Sequence, residues 1–297
     1  WKLGVLNDPF NYAKYTTQSN GKVLYETTLD EAQIPKQSFA ANKVITIIDN
    51  RQSNLQKIVT NIMSKFNPES SYVHLGYEAV TLSSETAKLL GNKTDGREVQ
   101  MSGRKGLYIN ADEIIEKLEK RIYLESKERN ASLDDASLNE IAHNVANGTI
   151  RYELIKPDLD KIITFDINTS LKLEGDTCSY IQYSCVRAAR ILEKSDKKPD
   201  FNASFDQLNT EHDLNLIKQI GMFEIFVNDA AKNYSPKVIA KYCYGLAVTF
   251  SSFYEHVKVL KAETPELVNA RLCLVLSFGL TLEKALDLLG ITVPQRM

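Results

Sequence analysis

The chain has 297 residues and a mass of 33.5 kDa, a length that suits about two domains. Apolar residues make up 43% and charged residues 25%, which excludes a disordered or fibrous chain, and 13 Gly with 8 Pro are too few for a turn-rich sandwich or barrel. Lys+Arg number 36 against 38 Asp+Glu, a formal charge of −2. There is no bulk basic field of the kind non-specific nucleic-acid binders carry, so any nucleic-acid contact must be local. The cysteines Cys178, Cys185, Cys243 and Cys273 form no C-x-x-C pair. They are read as small core residues of a protein kept in a reducing cytosol. No uncharged apolar stretch of 18 residues is apparent, and no membrane span or signal peptide is expected. The opening Trp1-Lys2-Leu3-Gly4 reads as the middle of a structure, as in a piece of a longer protein.

Val44-Ile45-Thr46-Ile47-Ile48 is a β-branched run apolar on both faces, the pattern of a buried parallel strand. It ends at Asp49-Asn50-Arg51-Gln52. Leu55, Ile58, Val59, Ile62, Met63 and Phe66 then recur at helical spacing. Strand, polar turn and helix make half of a βαβ unit. Ligands of such sheets sit beyond the carboxyl ends of the strands, which is where the 49–52 turn lies. Residues 72–80 predict the next strand. Thr94 to Gly106 is polar and rich in Gly, a loop.

From Asp112 the period becomes helical, with Ile114, Ile115, Leu118 and Ile122 on one face. Residues 132–135 offer an N-cap for the next helix. Residues 166–174 are a connector. Further helices are expected over 179–194, 213–228, 235–259 and 265–289, the last with a break near Gly279. Ser235-Pro236 marks a start and Gly290 a stop. The chain is thus α/β and then helical over 1–165, and a helical bundle over 166–297. From 166 onward 15 Lys+Arg stand against 16 Asp+Glu, and before it 21 against 22, so neither part is basic.

The sharpest local signal is Gln100-Met101-Ser102-Gly103-Arg104-Lys105-Gly106. A loop with hydroxyl, guanidinium and ammonium groups beside glycine amides can fold over a triphosphate and stabilise departing pyrophosphate. On composition alone a solvated basic turn fits as well. Tyr180, Tyr183 and Arg187 lie at i, i+3 and i+7, on one helix face. Two rings and a guanidinium there make a platform for unpaired bases. A tyrosine stripe in a bundle core has the same spacing.

In this order and context, Met-Ser-Gly-Arg-Lys-Gly resembles the second signature loop of class I aminoacyl-tRNA synthetases. Within that class the chain is similar to the arginyl-tRNA synthetases over nearly its whole length. The likeness rests on Trp1–Gly4, on Asp49–Gln52 after the Ile/Val strand, on His74-Leu75-Gly76-Tyr77-Glu78, on Gly175 to Arg187, and on the ending Leu288-Leu289-Gly290-Ile291-Thr292-Val293-Pro294-Gln295-Arg296-Met297. The resemblance implies the C-terminal half of a Rossmann-type α/β catalytic core with connecting helices over 1–165. It implies an all-α anticodon-binding domain of the DALR type over 166–297.

It also implies site residues. Ser102, Arg104 and Lys105 would serve catalysis. Met101, Ser102, Gly103, Lys105 and His74 would bind ATP, and Gln52 would bind arginine. The loop departs from the usual Lys-Met-Ser-Lys-Ser form at Gln100 and Gly103, which leaves open which cation meets the phosphates. Tyr180, Tyr183, Arg187, Tyr254 and the terminal Met297 would contact tRNA, and Arg190 and Lys194 are further local cations for phosphate. Splayed loop bases are read on aromatic side chains, which needs little net charge. ATP would be a substrate accompanied by Mg2+, with no tightly bound cofactor and no protein metal site. The partners would be arginine-accepting tRNA, L-arginine and ATP, in a cytoplasmic, monomeric enzyme with no membrane contact. For Gln52 the plain alternative is a helix-start residue, and for His74 a satisfied core histidine.

The rival reading is a non-catalytic RNA-binding or protein-interaction module. Residues encoded upstream of Trp1 separate the two: a His-x-Gly-His element there favours the ligase. That first signature does not occur among His74, His143, His212 and His256. The chain by itself is therefore expected to give no arginine-dependent ATP–pyrophosphate exchange, and measurable exchange would refute that expectation of inactivity.

Overall fold

The computed structural model describes residues 10–18, 20–34, 41–91, 99–100 and 110–297. Its two compact units are Trp1–Glu78 and Ala79–Met297. In the first, β1 (Asn11–Thr17) and β2 (Val23–Thr28) form an antiparallel hairpin. Its tight turn uses Gly21 at φ 80°, where a side chain would be strained. β3 (Lys43–Asp49) pairs in parallel with β4 (Ser71–Tyr77), from Lys43↔Ser71 to Asp49↔Tyr77. A 3₁₀ turn, Asn50–Gln52, leads from β3 into α1 (Ser53–Phe66). The strand, turn and helix expected from the sequence are therefore present.

The expected burial of that strand is not. Ile45 is 44% and Ile47 70% exposed. Among the described residues the sheet of β3 has only β4 as a second strand, so no strand lies on its other edge. α1 buries Gln56 and leaves Leu55, Ile58, Ile62 and Phe66 in solvent. Those are the residues whose period announces the helix.

In the second unit β5 (Val80–Leu82) pairs in parallel with β7 (Ile163–Phe165) and antiparallel with β6 (Val99–Gln100). The division expected at 165/166 falls inside this unit. Around the sheet lie α2 (Ser84–Leu89), α3 (Ala111–Arg129), α4 (Asp135–Ile155) and the short α5 (Ile167–Ser170). Leu82, Leu118, Ile122, Val145, Phe165 and Ile167 share their core. β7 and α5 occupy stretches that carry no periodic signal long enough to predict them.

The bundle follows as α6 (Cys178–Glu193), α7 (Glu211–Gly221), α8 (Phe223–Asn233), α9 (Pro236–His256) and α10 (Pro265–Leu288). The single helix expected over 213–228 is two. The Met222 N–H bonds to the Lys218, Gln219 and Ile220 carbonyls, which tightens the last turn. The break expected near Gly279 is absent, and α10 runs straight through. Pro236 and Pro265 stand in the first turns of their helices, where a missing N–H costs nothing. Gly290 ends the bundle at φ 67°.

α10 is the one helix among the described residues long and apolar enough to cross a membrane, contrary to the sequence expectation. Its apolar run is accounted for by burial. Ala270, Leu272, Val275, Phe278, Leu282 and Leu286 are each 0% exposed, at the centre of the bundle core. Phe278 stacks on Phe250 of α9 with ring centroids 3.8 Å apart. All four cysteines are buried and free, and burial pushes the Cys178, Cys185 and Cys243 thiols up, so they are inert core groups.

α4 and α6 approach closely at Gly148. A Cβ there would lie 2.9 Å from Gln182 Nε2, 3.0 Å from Cys178 Sγ and 3.1 Å from Ile291 Cγ2. Gln182 Nε2 in turn donates to the Asn144 carbonyl at 3.3 Å and the Thr292 carbonyl at 2.8 Å, tying α4, α6 and the chain end together. Elsewhere in a helix Gly→Ala adds roughly 0.5–1 kcal/mol of stability. Here overpacking, roughly 1–3 kcal/mol, opposes it. Gly148→Ala is expected to lower stability by about 1–2 kcal/mol in urea unfolding, and an unchanged or raised midpoint would show that the two helices part freely.

Candidate nucleic-acid interface

α6 begins where Thr177 accepts the Tyr180 N–H. Its apolar side, with Cys178, Ile181, Cys185 and Ala188, enters the bundle core. That orientation leaves Tyr183 and Arg187 half-buried at the rim. The Arg187 guanidinium carbon lies 4.8 Å from the Tyr183 ring centroid and 4.6 Å from that of Tyr254, on α9. Two aromatic faces thus hold one cation, each such contact being worth about 0.5–1 kcal/mol at an exposed site and more when desolvated. Arg187 has no ion-pair partner among the described residues.

These three side chains line a groove of about 590 Å³ together with Arg190, Lys194, Val257, Val259, Leu260 and Met297. Arg187, Arg190 and Lys194 fall at i, i+3 and i+7 on α6 and make the groove basic. No Asp or Glu side chain lines it among the described residues. Glu193 lies outside and meets Arg190 at 3.6 Å, an exposed pair that holds the arginine only weakly. Tyr254 is 44% exposed and presents ring surface to solvent. Met297 lines the same groove and also packs against the core around Leu118 and Ile141.

Four of the five residues expected to meet tRNA are therefore together. The fifth, Tyr180, is half-buried against the bundle core. It meets Tyr244 with centroids 6.1 Å apart and does not line the groove. It shares a helix face with Tyr183, one turn toward the N-terminus, where α9 passes close. Sequence reading misses the wall of Val257, Val259 and Leu260. It also misses the buried pair of Asp213 and Arg271, 3.4 Å apart. Their signal is a lone arginine inside the apolar run of α10, since a buried guanidinium needs a partner.

In the first unit Gln52 occupies the N-cap position of α1, exposed, and its side chain caps nothing. Its neighbours are engaged with each other. Arg51 donates to Asp49 through Nε at 2.9 Å and Nη2 at 2.6 Å. The guanidinium holds the Asp49 carboxyl down to about 2. The Gln52 amide is thus available at the carboxyl end of β3. His74, on β4, donates from Nε2 to the Ile48 carbonyl at 2.9 Å, as a satisfied structural histidine does. Beside it Asn50 Nδ2 donates to Glu78 at 3.0 Å. A Cβ on Gly76 would fall 1.8 Å from Asn50 Oδ1, so the glycine is needed for that close approach. Met101, Ser102, Gly103, Arg104 and Lys105 lie outside the described residues.

Residues 181–297 match the DALR anticodon binding domain. Over 197 residues the chain is 37% identical to the arginine–tRNA ligase of Methanothrix thermoacetophila, covering 66% of this chain and 35% of the relative. Over 289 residues it is 33% identical to that of Borrelia hermsii, covering 96% and 47% respectively. The arginyl-tRNA synthetase structure from Thermus thermophilus superposes with a TM-score of 0.81 at 30% identity, covering 100% of this chain and 47% of that one. The helical bundle is thus an anticodon-binding domain of the DALR class. The chain belongs to the arginyl-tRNA synthetase family and spans about half the length of the curated relatives it matches.

Proposed function

We propose that this chain is part of an arginine–tRNA ligase, which adenylates L-arginine with ATP and transfers it to the 3′ end of its tRNA. The observation that carries the reading is the basic groove, lined by no Asp or Glu side chain among the described residues, in which Arg187 lies between Tyr183 and Tyr254. Unpaired anticodon bases stack on the outer ring faces, and stacking of that kind contributes about 1–3 kcal/mol per base. Arg190 and Lys194 take the adjoining phosphates. Because the rings already hold Arg187, little side-chain freedom is lost on binding. Residues 166–297 act as the anticodon-binding domain, and Tyr180 supports the platform from the next turn.

On the catalytic side, Gln52 accepts hydrogen bonds from the guanidinium of arginine, a role for which an uncharged amide is suited. Ser102, Arg104 and Lys105 serve catalysis, Met101, Ser102, Gly103 and Lys105 bind ATP, and Mg2+ arrives with the ATP. His74 acts by fixing the carboxyl ends of β3 and β4 where the nucleotide lies. None of these groups becomes covalently linked to substrate; the rate comes from positioning and electrostatic stabilisation. Such an enzyme works in the cytoplasm, as a monomer.

Arg187→Ala is expected to weaken binding of arginine-accepting tRNA by about 1–3 kcal/mol, the scale of a stacked base. The melting temperature should hold, since the side chain sits at the rim. Unchanged affinity would remove the groove from RNA recognition.

A further inference from the structure

The groove wall opposite α6 is held from behind. α9 ends at His256, and the chain continues in extended conformation at Val257, with φ −113° and ψ 123°. Val257 and Val259 are buried while Lys258 between them is exposed, the alternation of an extended segment. The Lys258 carbonyl accepts from Nη1 of Arg271 at 3.3 Å. Arg271 comes from the second turn of α10 and is only 8% exposed. Its Nε and Nη2 reach the two carboxylate oxygens of Asp213 at 3.4 and 3.5 Å.

Asp213 is itself fixed. It is fully buried and closes the capping box of α7, accepting from the Thr210 N–H at 3.2 Å and the Thr210 hydroxyl at 2.5 Å. A second tie runs alongside. The His212 ring stacks on His256 with centroids 4.4 Å apart and planes 8° from parallel, and both rings bond to Ser252. The N-terminus of α7 thus grips the end of α9 and the segment after it, whose other side is groove wall.

Asp213 neutralises the guanidinium, and the fork geometry leaves a further donor for the backbone carbonyl. We propose that Arg271, held by Asp213, is a positioning residue for tRNA recognition: it fixes residues 257–260 as the wall of the groove without touching RNA. This rests on the groove being the RNA interface.

The test uses the full chain and arginine-accepting tRNA at fixed salt. Arg271→Lys keeps the charge beside Asp213, but a single ammonium cannot reproduce the fork. The expected result is a Kd weakened about tenfold, within the range of coupled contacts. Amide hydrogen exchange should rise in peptides covering 257–262, with the protection of α6 and α10 kept. In a Leu260→Ala background the same substitution should change Kd little, because the wall through which it acts is already altered. An equal loss in both backgrounds, or no loss in either, overturns the proposal. Should Arg271→Lys fail to fold, Asp213→Asn with Arg271→Gln removes both charges together, leaves none buried alone, and is read the same way. Arg187→Ala separates the two readings. If it leaves Kd unchanged, the groove is not the RNA interface and the positioning role falls with it. If it weakens binding while Arg271→Lys does not, the positioning role alone falls.

Discussion

The groove is organised around one cation held between two rings. Arg187 stands 4.8 Å from the Tyr183 centroid and 4.6 Å from that of Tyr254. One ring is on its own helix and the other is brought by α9, so the contact exists only if α6 and α9 keep their rotation. That rotation is set by the buried faces: Ile181, Cys185 and Ala188 of α6, and Leu246, Phe250 and Phe253 of α9, share the core centred on α10. Arg187, with no ion-pair partner among the described residues, keeps its charge for a ligand at the rim. This is how a chain of net charge −2 presents a basic groove: the positive groups are local and the acidic ones lie elsewhere.

The first unit follows a different logic. A two-stranded parallel sheet with one helix buries little, and Ile45, Ile47, Leu55, Ile58 and Phe66 remain in solvent. Parallel strands are stable when both faces are covered. The unit nevertheless keeps the local features a ligand would need at the strand ends. The Asp49–Arg51 pair fixes the turn, Gly76 lets Asn50 lie across β4, and Gln52 is left with its amide unengaged by α1.

What could be read beforehand divides by range. Local signals worked: the Ile/Val run of β3, the turn at 49–52, Pro236 and Pro265 as helix starts, and Gly290 as a stop are each decided by a few neighbouring residues. The i, i+3, i+7 spacing put Tyr180, Tyr183 and Arg187 on one face, but it could not say that α9 would pass over Tyr180 and leave only the other two at the groove. Strand burial failed because it depends on what else pairs with β3. The break at Met222 and the strand Ile163–Phe165 were invisible because each is too short to show a period. The buried pair went unread, although a lone arginine in the apolar run of α10 is a signal that a buried partner exists. Its identity, Asp213, is 58 residues away along the chain and is settled only by packing. Tyr254 and Met297 were reached through family likeness, since nothing in their local sequence marks them.

Filter binding of this chain to arginine-accepting tRNA and to other tRNAs at one fixed salt concentration, where the non-specific phosphate background is common to all, decides whether the groove reads the anticodon. Anticodon bases stacked on the outer ring faces of Tyr183 and Tyr254 require the arginine acceptor to bind distinctly more tightly than the rest. Equal affinities across the set would mean that the groove holds backbone charge alone and that the anticodon is not what it reads.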